Sequence, residues 1–184
     1  TDAHGCDHVT HAELALDKDG RFLAMRVTTT ANMGAYLSTF ASCIPTILYA
    51  TLLAGQYTTP AIYVEVTASF TNTAPVDAYR GAGRPEATFV VERRVHQAGV
   101  DMKIAQDEIR RRNFIRTGQS NPVGQTIREP VDMAALLDRA FELSDYHAVR
   151  AECDRVSANG PIKRGIGFAC FMHGAGFTGS GEQH

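Results

Sequence analysis

The sequence has no excess of charge of either sign. Its 18 lysines and arginines nearly balance 20 aspartates and glutamates, leaving a formal net charge of -2 over 184 residues. Such a balance gives no global basic field to attract nucleic acid or an anionic lipid surface. The one dense basic run, Arg110, Arg111, Arg112 and Arg116, follows Asp107 and Glu108 without an aromatic stacking motif, and reads as the solvated end of a helix. Cysteine is sparse too: Cys6, Cys43, Cys153 and Cys170 are scattered with no CxxC spacing. That argues against a zinc site or a disulfide framework and points to a reducing cytoplasm. Long apolar runs are missing, because 44–55 and 61–70 are interrupted by Pro45, Glu65 and several threonines, so neither could cross a bilayer as a helix. There is no internal repeat and no charged-then-apolar leader. The chain opens on Thr1 rather than methionine and stops at His184 after a glycine-rich run, so the expectation is an internal piece of a longer protein.

What is present suffices for one ordinary core: 44% of residues are hydrophobic and 21% charged. The first third reads as β structure. Residues 11–16 and 22–30 flank the turn chemistry of Asp17, Lys18, Asp19 and Gly20 and predict a hairpin. A further strand is predicted over 62–71, with Ile62, Val64, Val66 and Ala68 on one face. The apolar, small-residue stretch 33–55 between them is expected to be loop plus a short helix.

Helical periodicity then takes over. Pro85 suits a first turn, Ala87, Val91, Val95 and Ala98 form a stripe, and Gly99 is the expected stop. A shorter helix is predicted over 104–112. Asp132 looks like the N-cap of a helix with Met133, Leu136, Leu137, Ala140 and Ser144 on one stripe, and Asp145 like the cap of the next, to about Val156. Asn159, Gly160 and Pro161 form a linker, and 162–172 reads as extended. The order β, helix, β predicts an α+β fold: the end of one domain over 1–116, a helical connection over 117–161, and the start of a second domain over 162–184.

The most informative segment is Ala78, Tyr79, Arg80, Gly81, Ala82, Gly83, Arg84, Pro85, Glu86, Ala87. It is a glycine-punctuated loop entering a helix, where glycines let main chain approach a ligand and the helix N-terminus favours an anionic group. On these grounds alone it is an anion site or a plain capped turn, and Arg80 and Arg84 are ligand-facing or surface residues in salt bridges.

This segment closely resembles the active-site loop of large subunits in the xanthine dehydrogenase and aldehyde oxidase family of molybdenum hydroxylases, in the variant called form II of aerobic carbon monoxide dehydrogenase. The resemblance extends through 91–93 and 108–115, and upstream through Asn32, Met33, Gly34, Ala35, Tyr36 and Thr71, Asn72, Thr73, Ala74, Pro75. It implies two molybdopterin-binding domains and a molybdenum-molybdopterin cytosine dinucleotide bordered by Arg80, Gly81, Ala82 and Gly83. Tyr79 and Phe168 would line the substrate space. It further implies FAD and [2Fe-2S] clusters on a flavin-binding medium subunit and an iron-sulfur small subunit, a dimer of heterotrimers, and a cytoplasmic site open to peripheral association with the inner face of the membrane. The implied reaction is oxidation of a small-molecule substrate with a water-derived oxygen. The proton-accepting glutamate of relatives lies downstream, so no catalytic residue and no metal ligand is assigned here; Glu86, Glu92 and Glu108 read as solvated or capping carboxylates.

Three departures matter. Gly81 stands where established carbon monoxide dehydrogenases have a cysteine bearing copper, which puts copper in doubt. Leu48 stands where purine-oxidising relatives have an arginine nine residues before the tyrosine matched by Tyr57, which favours a small or apolar substrate and leaves carbon monoxide, an aldehyde and an aromatic heterocycle open. Cys6 stands where relatives often have arginine. The run at Gly174, Gly176 and Gly179 satisfies GxGxxG, a weak match lacking a following helix. A reading of another class, a non-catalytic phosphate- or nucleotide-binding module, stays open at this stage, as does a purely structural domain.

Overall fold

The computed structural model describes residues 3–40, 42–158 and 161–173. Strands β1 (Asp7–Leu16) and β2 (Phe22–Asn32) form the expected antiparallel hairpin, and β3 (Ala61–Ser69) adds to β2 in parallel, giving the order β1-β2-β3. The turn is built as its residues suggest: Asp17 Oδ1 accepts from the N–H groups of Asp19 and Arg21, and Gly20 supplies a positive φ of 79°. Parallel pairing of β2 with β3 demands a crossover. Residues 33–60 supply it, and the expected short helix proves to be a π-helical turn, Ile44–Leu48, running into α1 (Tyr49–Leu52).

Behind the sheet lie α2 (Arg84–Met102) and α3 (Gln106–Asn113), followed by the pair α4 (Met133–Leu143) and α5 (Tyr146–Ala158). The fold is α+β. One core gathers Phe22, Met25 and Val27 of β2, Tyr49, Leu53 and Tyr57 of the crossover, Ala87, Val91 and Val95 of α2, Ile109 of α3, and Leu137 and Phe141 of α4. The outward sheet face carries Arg26, Thr28, Thr30, Glu13, Tyr63 and Glu65, as a half-solvated sheet requires. Among the described residues, no helix is long and apolar enough to cross a membrane.

Several expectations are corrected. Gly99 does not stop α2, which runs on to Met102 and ends at Lys103 in the left-handed region. Gly99 lies at a close approach instead, where a Cβ would be 3.2 Å from Ile104 O and would displace the end of the Gln106 side chain. The apolar stripe of α4 is rotated: Leu137 and Phe141 are buried, whereas Leu136 is 62% exposed. Ala68 keeps the face it shares with Val64 and Val66, opposite buried Ala31, though it is exposed near the strand end. Asp132 caps α4 as expected, accepting from the N–H of Ala135 at 2.9 Å, and the Asp145 carbonyl takes the first bond of α5. The segment 162–172 forms no ladder among the described residues, yet Ile166, Phe168 and Cys170 alternate inward like a strand. The glycine run 174–181 lies outside the described residues.

Candidate cofactor site at the loop before α2

The chain reaches the loop through a clamp. Val76 bridges His4, with His4 N–H donating to Pro75 O and Asp77 N–H to His4 O. Just upstream, the two motifs at 32–36 and 71–75 interlock. Asn32 Oδ1 accepts from Gly34 N–H and Thr71 Oγ1, and Asn32 Nδ2 donates to Asp7 and Thr73. Gly34 is required, because a Cβ there would meet Ala74 O at 2.3 Å. These motifs therefore hold the approach to the loop rather than carry chemistry.

The loop itself is a left-handed bend. Gly81, Ala82 and Gly83 have φ of 105°, 43° and 85° in succession, and for Ala82 that is uncommon and costs of order 1 kcal/mol. Two short bonds close it, from Ala82 N–H to Tyr79 O at 2.8 Å and from Arg84 N–H to Gly81 O at 3.1 Å, and Arg84 Nη1 adds a donor to Gly81 O at 3.3 Å. From below, the bend rests on the π-helical turn, since a Cβ on Gly83 would lie 2.8 Å from Ile44 O and 3.0 Å from Tyr49 N. The π turn exposes this seat by running Leu48 N–H to Cys43 O, five residues back, around the N–H-less Pro45. Tyr49 beneath is fully buried, its hydroxyl 3.0 Å from Thr29 Oγ1.

The bend presents main chain. Tyr79 is 77% exposed and Arg80 is exposed, without a salt bridge among the described residues. The N–H groups of Arg80, Gly81 and Gly83 have no hydrogen-bond acceptor among the described residues. Gly83, the N-cap of α2, offers no side chain to its first turn. Free donors at a helix N-terminus suit an anionic or strongly accepting group.

A polar cluster flanks this end of α2. Cys6 and His8 of the β1 side stand against Glu86 of the first turn, and the His8 ring meets Tyr49 edge-on at 4.6 Å. Burial, with the Glu86 carboxylate second, pushes the Cys6 thiol up to about 12, and burial draws the His8 imidazole below its usual range against the opposing pull of Glu86 and Asp7. Both are uncharged at neutral pH. Glu86 Oε2, Arg84 Nε and both ring nitrogens of His8 are buried with no partner among the described residues. Glu86 is thus no plain solvated carboxylate.

A second cluster escaped the sequence reading. Glu92 is not solvated, and Arg110 is not the solvated end of a helix: the two are buried and paired, Arg110 Nε and Nη2 reaching Glu92 Oε2 at 3.0 and 2.9 Å. Tyr57 OH and Gln56 Nε2 donate to Oε1, and Cys170 N–H donates to Oε2 at 3.1 Å. Burial and then the Glu92 charge raise Tyr57 well above the ordinary phenol value. Its only sequence signal is positional: Glu92 is adjacent to Val91 of the buried stripe of α2. Glu108, by contrast, pairs with Arg112 one turn on at a partly exposed position, as expected.

Phe168 packs inside, its ring 5.0 Å from Phe141 and 5.5 Å from Tyr146, with the Arg110 guanidinium carbon 4.9 Å above. The structure thus groups it with α4 and α5, apart from Tyr79. Cys170, two residues on, shares a small cleft with Arg84, Gln56 and Glu92. Leu48 is half-buried in the π turn. Among the described residues no group of three or more His, Cys, Asp or Glu could hold a metal ion.

A domain whose polar main chain converges on such a helix N-terminus has known counterparts. The family described as molybdopterin cofactor-binding domain matches residues 1–114, and the chain belongs to that family, within the large subunits of the molybdenum hydroxylases. It is 33% identical over 181 residues to the 6-hydroxypseudooxynicotine dehydrogenase complex subunit gamma of Paenarthrobacter nicotinovorans, covering 95% of this chain and 22% of that one. It is 34% identical to the carbon monoxide dehydrogenase large chain of Hydrogenophaga pseudoflava, covering 96% and 23%. Among solved structures, quinoline 2-oxidoreductase from Pseudomonas putida 86 superposes with a TM-score of 0.79 at 28% identity, covering 86% of this chain and 20% of that one. A Cu,Mo-CO dehydrogenase gives 0.72 at 26%, covering 83% and 20%. The chain spans about a fifth of the length of these relatives.

Proposed function

We propose that this chain carries the cofactor-facing loop of a molybdenum-dependent oxidoreductase built on the aerobic carbon monoxide dehydrogenase pattern, and that the substrate is an aldehyde or an aromatic heterocycle. The observation that carries the reading is the left-handed bend at 81–83, with the N–H groups of Arg80, Gly81 and Gly83, unpaired among the described residues, at an uncapped helix N-terminus. These groups fit a cofactor rich in acceptor atoms. The orphaned Arg84 Nε and Glu86 Oε2 beside them fit a site that something else completes. When bound, a molybdenum-molybdopterin cytosine dinucleotide supplies the two-electron oxidation with a water-derived oxygen.

The residues of this chain bind and orient. Arg80, Gly81, Ala82 and Gly83 border the cofactor with main-chain donors. Tyr79 faces the substrate from the loop, whereas Phe168, packed with Phe141, Tyr146 and Arg110, is assigned to the substrate space only by the family resemblance. Neither Glu86 nor Glu92 is the reacting base. Glu92 is held by Arg110, Tyr57, Gln56 and Cys170, and Glu86 sits behind the loop with Cys6 and His8.

Carbon monoxide itself is the second reading, supported by the identity to a carbon monoxide dehydrogenase large chain. Gly81 weighs against it because glycine offers no thiolate for copper. The heterocycle reading draws on likeness to a quinoline-oxidising structure and on Leu48 at the place of a purine-anchoring arginine. The domain division 1–116, 117–161 and 162–184, the flavin-binding and iron-sulfur partner subunits, the dimer of heterotrimers and a cytoplasmic location complete the proposal.

The test is metal analysis of the intact complex, followed by assays of carbon monoxide, aldehydes and heterocycles with an artificial electron acceptor. Molybdenum without copper, and turnover of an aldehyde or heterocycle, is the expected result. Absence of molybdenum would sink the assignment; stoichiometric copper with carbon monoxide turnover would replace the substrate.

A further inference from the structure

Arg84 touches the loop twice. Its main-chain N–H donates to Gly81 O at 3.1 Å, and its Nη1 donates to the same oxygen at 3.3 Å. One residue can do both because it opens α2, where a side chain leans back toward the helix N-terminus. The other end of that peptide is held as well, since Ala82 N–H donates to Tyr79 O at 2.8 Å. The Gly81–Ala82 peptide is therefore pinned at its oxygen and at its nitrogen. On either side of it stand the N–H groups of Gly81 and Gly83, which have no acceptor among the described residues. Pinning matters because glycines at 81 and 83 leave soft joints around this peptide. Pro85 limits where the Cα of Gly81 can move, since its ring carbon Cδ lies 2.8 Å from where a Cβ would stand, yet it does not stop the peptide plane from turning. A turn of that plane would carry an acceptor oxygen in among the donors.

The side chain that makes the pin is a cation. Among the described residues no carboxylate forms an ion pair with Arg84, and its Nε is buried without a partner. It shares a cleft with Glu92, but that carboxylate is already paired with Arg110 at 2.9 Å. We propose that Arg84 is a positioning residue for the cofactor: its guanidinium locks the Gly81–Ala82 peptide, keeps the main-chain donors of the bend aimed outward, and sets a positive charge behind them. The proposal rests on the reading that this loop borders the molybdenum cofactor. Arg84 acts through the main chain and touches neither cofactor nor substrate. A charged donor suits the task, being roughly twice as strong a hydrogen-bond partner as a neutral one.

The test compares Arg84→Met and Arg84→Lys in the intact parent enzyme, together with Gly81→Ala, which strains the crown of the loop directly at a φ of 105°. The Mo(V) paramagnetic spectrum, the thermal midpoint, KM and kcat per bound molybdenum are read for each. Arg84→Met, which removes donor and charge at similar volume, is expected to shift the Mo(V) spectrum and to lower kcat on the order of tenfold, with the midpoint falling by less than about 4 °C. KM should move by less than about threefold, because the residue orients the reacting centre rather than holding substrate. Arg84→Lys keeps a charged donor and is expected to restore the parent spectrum and to bring kcat within about threefold of the parent. A lowered midpoint in Arg84→Met with the spectrum and kcat unchanged is what a purely structural arginine gives, and overturns the proposal. Equal losses in Arg84→Lys and Arg84→Met overturn it too, since the charged donor would then not be the cause. In both cases a shifted spectrum in Gly81→Ala leaves the loop beside the cofactor. An unchanged spectrum in all three variants removes the reading beneath the proposal, because the loop would then be remote from molybdenum.

Discussion

Two polar clusters lie along α2, and they differ in how completely their polar atoms are bonded. Around Glu92, each carboxylate oxygen accepts more than one hydrogen bond, and Arg110 uses Nε, Nη1 and Nη2. Around Glu86, one carboxylate oxygen, one guanidinium nitrogen and both nitrogens of His8 are buried without a partner among the described residues. Buried polar groups in a finished fold are bonded. The first cluster is therefore complete within this chain and serves its architecture, tying α2, α3, the crossover and the 162–173 segment together. The second leaves these atoms unbonded among the described residues, and it sits at the end of the helix that carries the loop.

The comparison breaks most decisively at Arg110. Replacing Arg110 by Met strands the Glu92 charge in the core and should lower unfolding free energy by about 3–5 kcal/mol, read by urea denaturation, with much of it regained on adding Glu92→Met. A loss below about 1 kcal/mol would mean that water reaches this cluster as freely as the other. Next in size is Gly83→Ala, whose new methyl meets the rigid Ile44 carbonyl at a φ of 85° and should cost about 2–3 kcal/mol by the same measurement. Ala82→Gly should act in the opposite direction, gaining about 1 kcal/mol by removing a side chain from the left-handed region. A loss instead would show that the Ala82 methyl makes contacts worth more than the strain.

The smallest effect concerns His8. Its folded pKa lies below the unfolded value near 6.5 because burial disfavours the cation, so the unfolded chain binds the proton more readily. Stability from this group is thus present above about pH 6.5 and is lost as pH falls from there through the depressed folded value. Comparing pH 7.5 and 5.5, His8→Gln should flatten that part of the stability profile, modestly, as the ring is only about half buried. An unchanged acid limb would place the neutral imidazole's role elsewhere.

Local features were legible where the signal is local. The hairpin at Asp17–Gly20, the cap at Asp132 and the helix entered at Pro85 follow from turn and capping chemistry within a few residues, and all three stand. Gly99 misled because the same residue serves as a helix stop or as room for neighbouring main chain, and only the position of Ile104 decides between them. Glu92 and Arg110 misled because a charged residue on the flank of a helical stripe has one pattern whether it meets water or a buried partner 18 residues away.

By itself, the order of residues determined the family, the α+β alternation and the identity of the glycine loop, because these depend on spacing and on which residues tolerate positive φ. Only the tertiary structure decided that Gly83 rests on a π-helical turn, that Pro85 closes the space above Gly81, and that one cluster of polar groups is complete while the other is open. Each of those depends on distances between segments far apart in the chain, and such distances arise only when the crossover, the sheet and α2 pack around a common core.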